Sequence, residues 1–192
     1  MPLNSFMKVR RAWRLATIFL AASALSGCIS ATAPILTDAQ AILGEQIEVH
    51  LFGNSKGGGP PHTVATFQWN GSRYLARGRS QQDFGDFTIH PYEGRDLIIQ
   101  TLTARAPRST KFALARRRAE RVYLIIPIHE DDADEATRER FCTKTQDASC
   151  RISTPEQLFV FARASAAKED ESSAIAVIVA ERETLNGRFR AQ

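Results

Sequence analysis

Three cysteines, four histidines and one dense run of acids are the side chains of this 192-residue chain with the most chemistry to offer. The histidines, His50, His62, His90 and His129, lack the His-Glu-x-x-His spacing that sets two nitrogen ligands on one helical face. A metal centre would have to be assembled in three dimensions. Beside His129, the run Glu130-Asp131-Asp132-Ala133-Asp134-Glu135 supplies carboxylates without the glycine and distant glutamate of a calcium loop. In Asn54-Ser55-Lys56-Gly57-Gly58-Gly59 the lysine precedes the glycines, the reverse of a loop that cradles phosphate ahead of a helix. Gly53-Asn54-Ser55-Lys56-Gly57 has the Gly-x-Ser-x-Gly spacing, but it lies in a loop with no helix expected after it, and without a strand-to-helix turn that spacing assigns no nucleophile. These patterns assign no catalytic residue, no metal and no cofactor, so an enzyme is the less favoured reading.

Cys28 stands in a different context. Lys8, Arg10, Arg11 and Arg14 form a basic stretch without acids, followed by an apolar run from Leu15 to Leu25. At about 1.5 Å per helical residue that run falls well short of the roughly 30 Å hydrocarbon core of a bilayer. It ends in Leu25-Ser26-Gly27-Cys28, an apolar residue, two small ones and a cysteine. The segment resembles the lipobox of bacterial lipoproteins at all four positions. The resemblance covers residues 1–28 alone and names no family for the folded part. It implies a leader of residues 1–27, cleavage before Cys28, a diacylglyceryl thioether on that cysteine, and acylation of the new amino terminus. Two or more acyl chains anchor stably where one binds only marginally. Residue 29 is Ile rather than Asp, which under the enterobacterial sorting rule implies an outer-membrane address facing the periplasm. Met7 offers a second start, opening on Met7-Lys8-Val9-Arg10-Arg11.

Removing the leader changes the electrostatic reading. The whole chain carries a formal charge of +4, but its four excess positives all lie in residues 1–27, leaving 21 basic against 21 acidic side chains. A nucleic-acid partner loses its electrostatic basis. The local run Arg116-Arg117-Arg118, with Arg121 nearby, is expected to be a solvated turn.

Discounting Cys28 leaves Cys142 and Cys150, an even pair with seven residues between them, in a chain sent to an oxidising compartment. A disulfide is the expected outcome. Closing a loop of about nine residues stabilises by on the order of 2.6 kcal/mol.

The elements that must carry these groups read as α+β. Residues 28–36 are expected to be a lipidated tether and residues 37–192 a single globular domain. Thr37 to Leu43 suggests a helical turn ended by Gly44, and Ile47 to Phe52 alternates as a half-buried strand does. Asn70-Gly71, between Thr63 to Trp69 and Ser72 to Arg77, predicts a type I′ hairpin. Further strands are expected at Asp86 to Tyr92, Asp96 to Ala104, Lys111 to Arg116, Arg121 to Ile128 and Ala174 to Ala180. A helix should begin near Asp132, its acids preceding its bases. Another follows Thr154-Pro155-Glu156-Gln157, a capping box with proline at the first helical position. The architecture expected is an antiparallel β-meander curled into a sandwich or small barrel, with two C-terminal helices covering an open edge or end.

Two functional classes fit that outline. One is a non-catalytic interaction or assembly module, with an envelope protein as partner and the membrane reached through the lipid on Cys28. The alternative is a periplasm-facing binder of a lipid or other hydrophobic ligand, held in a curled sheet against Trp69 and Phe87.

Overall fold

The computed structural model describes residues 28–52, 63–77, 85–102, 109–145, 149–168 and 174–180. Its centre is a closed barrel of eight antiparallel strands. Seven follow one another in sequence: β2 (Gln46–Leu51), β3 (Thr63–Trp69), β4 (Tyr74–Ala76), β5 (Phe87–Pro91), β6 (Leu97–Leu102), β7 (Thr110–Ala119) and β8 (Val122–Pro127). The eighth, β11 (Ala176–Ala180), pairs with β2 on one side and β8 on the other, and so closes the ring. The short connections at Asn70–Arg73, Tyr92–Asp96 and Glu120–Arg121 can join only antiparallel neighbours.

Period-two patterning decides which side chains go inside. Ile47 and Val49 of β2, Ala65 and Phe67 of β3, and Ile178 of β11 point inward and are buried. Their neighbours Glu48, His50, Thr66, Val177 and Val179 point outward and are only half-buried. The inside is filled by side chains, Tyr74, Phe67, Ile89 and Ile178 among the largest.

The thinnest seam lies between β4 and β5, whose register links only Tyr74 with Phe87. Aromatic packing reinforces it: Phe87 stacks on Tyr74 at 5.4 Å and meets Phe67 edge-on at 4.8 Å. Such pairs add about 0.5–1.5 kcal/mol beyond burial. Arg73 and Asp86 form an ion pair of 3.3 Å across the same seam.

A second core lies outside the barrel. Ile98, Phe112 and Leu114, on the outward pleat of β6 and β7, are covered by Leu158, Phe161 and Ala162 of α2 (Pro155–Ala167). That helix starts as its sequence dictates. Gln157 N donates to Thr154 Oγ1 at 3.4 Å, while Gln157 Oε1 accepts from Thr154 N at 3.1 Å. The preceding α1 (Glu135–Phe141) is capped by Asp134, which accepts from Thr137 N at 2.7 Å. It therefore begins later than expected, and Glu130–Asp132 forms a separate 3-10 turn. Both helices sit between β8 and β11, ahead of the last strand as expected, and α2 covers an outer face of the closed ring rather than an open edge or end.

Three further expectations change. The Asn70-Gly71 connection is a four-residue loop with Trp69 opposite Tyr74, because Asn70 Oδ1 accepts from both Ser72 N and Arg73 N. That local bond competes with the two-residue turn. Arg116, Arg117 and Arg118 lie inside β7, not in a turn. Arg116 is half-buried, donates to Ala166 O of α2 and faces Asp96 at 3.9 Å, while the turn falls at Glu120-Arg121. Thr37 to Ala41 forms no helix, the chain instead turning at Ile42-Leu43 before Gly44, at φ 95°. The run from Gly53 to Gly59 and the expected extension of β6 through Ala104 fall outside the described residues.

One buried hydroxyl sits in the outer core unpaired: Thr110 Oγ1, fully buried, has no hydrogen-bond partner among the described residues. A buried hydroxyl without a bond costs about 1–3 kcal/mol. Thr110→Val keeps the shape and removes the cost, so urea unfolding should show a higher midpoint at unchanged slope, a gain of about 1 kcal/mol.

Candidate functional site

Cys28 and the residues that follow it are built into the fold. Cys28 forms an isolated antiparallel bridge with His129, just past the end of β8, and Ile29 N donates to Ile128 O at 3.2 Å. Next comes β1 (Ser30–Ala31), which runs antiparallel to β7, with Ser30 opposite Lys111 and Ala31 opposite Thr110. On its other side β1 pairs with β10 (Cys150–Arg151), which pairs in turn with β9 (Thr143–Lys144). Ile29 and Ala31 are buried in the outer core. The apolar Ile29 and the open edge of β7 beyond Pro127 explain the docking, which gives this segment far more partners than a tether needs.

Farther along, Gln100 holds the same segment to the barrel wall. Its Oε1 accepts from Ile35 N at 2.9 Å and Leu36 N at 3.0 Å, and its Nε2 donates to Leu36 O at 3.1 Å. Gln100 is buried by this strap, and Thr88 Oγ1 accepts a second bond from Nε2.

At the bridge, Cys28 Sγ lies 3.9 Å from His129 Nδ1. Burial pushes the thiol pKa up, and the nearby Lys111 charge only partly offsets it. The sulfur is therefore a protonated thiol at neutral pH and not an activated nucleophile. Next to His129, the buried Glu130 receives Lys144 Nζ on both carboxylate oxygens at 3.0 Å. Asp132 is partly desolvated, yet Ser165 Oγ and Lys168 Nζ bond to it and hold its pKa below the usual carboxylate value. The acidic run thus splits into neutralised pairs and one helix cap, with no open carboxylate cage among the described residues.

Cys142 and Cys150 form the expected disulfide, with Cα atoms 5.1 Å apart. It ties the end of α1 to β10. Glu130, Cys142 and Cys150 bring three ligand-type atoms within 4.8 Å of one another. Sulfurs bonded to each other supply no thiolate, so this group does not suit a metal.

The remaining predicted residues are dispersed. His50 lies on the outside of β2 beside Glu48 at 3.3 Å, and His90 on β5 contacts Thr88 Oγ1 at 2.8 Å. Burial lowers the pKa of His90 and keeps it neutral. His62 and the Gly53 to Gly59 segment fall outside the described residues. Trp69 packs on Tyr74 at 5.2 Å near the barrel end, and Phe87 is one of the side chains filling the interior. A cleft of about 400 Å³ runs beside the strap, between Leu36, Asp38, Arg73 and Thr88. It is open to solvent.

The signal sequence reasoning missed is Gln100, an amide in an otherwise apolar strand of Leu97-Ile98-Ile99. A lone polar residue on an apolar pleat marks a face that another segment must cover.

No protein-family model matches this chain, and neither a curated protein nor a solved structure matches it significantly.

Replacing both Cys142 and Cys150 by serine should lower stability by about 2.6 kcal/mol through the loop entropy returned to the unfolded chain. Denaturant titrations of the double variant and of the reduced parent should agree; a loss seen only on reduction would assign it elsewhere.

Proposed function

We propose that this chain is a bacterial envelope lipoprotein, cut before Cys28 and held by lipid on that residue at the periplasmic face of the outer membrane. Its barrel serves as a non-catalytic interaction or assembly module for another envelope protein. The observation that carries the reading is Leu25-Ser26-Gly27-Cys28, placed directly after a basic stretch and a short apolar run. The bridge from Cys28 to His129 and the pairing of Ser30 and Ala31 with β7 fit it, since a chain cut before Cys28 keeps these contacts. A disulfide-bonded pair fits an oxidising compartment. Among the described residues no helix is long and apolar enough to cross a membrane, and the lipid on Cys28 supplies the attachment.

The interaction role is favoured over ligand carriage because Phe87 and its aromatic neighbours pack against one another inside the barrel. It is favoured over catalysis because the described histidines, His50, His90 and His129, lie on separate elements and the acids beside His129 are tied up in pairs.

Metabolic labelling with a fatty acid tests the anchor. Label should enter the parent and be lost in Cys28→Ser, which should be released or accumulate unprocessed. Label retained by the variant would overturn the reading. Native mass spectrometry of the lipidated protein, gently extracted from its own envelope, separates the two roles. A co-purifying protein supports the interaction module, whereas a reproducible small-molecule adduct beyond the covalent lipid would replace it with ligand carriage.

A further inference from the structure

The barrel has two unlike ends. One carries the tight turns at Asn70–Arg73, Glu93–Arg95 and Glu120–Arg121, and is plugged by the Ala41–Gly44 turn, where Tyr74 Oη donates to Gly44 O at 2.7 Å. The other is the end of β2 and β8 and the start of β3, β7 and β11, and Cys28 sits there. The attachment point is therefore a built part of one rim. Backbone bonds from Ile29 to Ile128 O and from Ile152 to Ser30 O lock the residues immediately after it, and Gln100 clamps Ile35 and Leu36. No free linker separates the cysteine from the domain.

The same rim shows apolar side chains to solvent. Val64 is 50% exposed and Ile175 45% exposed, two of the three large exposed hydrophobics among the described residues. The third, Ile42, is at the turn end and only 38% exposed. Phe52 N donates to Ile175 O, placing the half-buried Phe52 next to Ile175, and Val64 is one strand away opposite His50. On the Cys28 side of the rim, Lys111 supplies a positive charge close to the sulfur.

We propose that this rim is a membrane-seating surface: the docked β1 strand holds the barrel upright, with Phe52, Val64 and Ile175 against the leaflet that receives the Cys28 acyl chains. The turn end then faces away from the bilayer and is the surface presented to a partner. The proposal rests on lipidation of Cys28. It goes beyond that reading in fixing which face meets lipid, whereas a flexible tether would leave every face free to do so. Cys28 is 2% exposed in the full-length chain, so the thioether must form before β1 docks. Strands of about six residues at about 3.3 Å each put the two rims roughly 15–20 Å apart, enough for a lipid-borne quencher to tell them apart.

The test uses the full lipidated protein in phosphatidylcholine vesicles containing a nitroxide-labelled lipid. A fluorophore is coupled through an azido amino acid placed at Val64 in one protein and at Ser72, in the turn-end loop, in another. Intact mass confirms acylation of each. The fluorophore at position 64 should be quenched several-fold more than the one at position 72. Inserting about 15 Gly and Ser residues between Cys28 and Ile29, a span of about 20 Å, should largely abolish the difference while leaving β1 docked. Acylated protein with equal quenching at both positions would overturn the seating surface and leave the anchor standing. Protein that carries no acyl chain would remove the anchor reading, and the seating surface with it.

Discussion

The inner face of this sheet stays dry only because β11 is hydrogen-bonded on both sides. Strands β2 to β8 follow one another through turns and loops, but their first and last members meet no partner until β11 slots between them. Its inward residues are Ala176, Ile178 and Ala180, small at both ends and bulky in the middle, which lets the strand enter a narrow ring beside Tyr123 and Ile125. Removing it would leave two open edges and open the inner core to water. The closing strand arrives after both helices, so the chain must make its most distant contacts to complete its core.

Closure in turn makes the outer surface the only place left for additional elements. The helix α2 takes the apolar stripe of β6 and β7, and the segment from Cys28 to Leu36 takes the remaining edge of β7 and the wall above Gln100. The buried Gln100 and Glu130 of this outer layer are paired, with the strap and with Lys144, and the half-buried Asp132 is paired with Ser165 and Lys168. A layer stabilised by specific pairing rather than by volume alone fixes where each segment lies. The same pairing fixes the position of Cys28 relative to the barrel.

Much of the fold was legible because local rules and tertiary demands agree. The alternation in Ile47 to Leu51, the β-branched run of Ala176 to Ala180, and the Thr154-Pro155-Glu156-Gln157 cap all became the elements their patterns predict. Reading failed where a side chain had a competing local bond or a distant partner. Asn70 caps its own loop and lengthens the turn. Arg116 looks solvated beside Arg117 and Arg118, yet it reaches Asp96 and the end of α2. The candidate site divides the same way: the Cys142 and Cys150 pairing was legible from the cysteine count and spacing, whereas the neighbours of Cys28 come from the far end of β8 and from β7.

By itself the sequence determined the lipobox-like motif, the charge balance from Cys28 onward, the disulfide pair and the period of each strand, because these depend on residue types close together along the chain. The tertiary structure alone decided that the sheet closes into a barrel, that the interior is filled, and that residues 28–36 are docked instead of free. Each of those outcomes depends on which strand edges and apolar faces remain unpaired once the others have met. That inventory exists only after the chain has folded, and spacing along one dimension does not contain it.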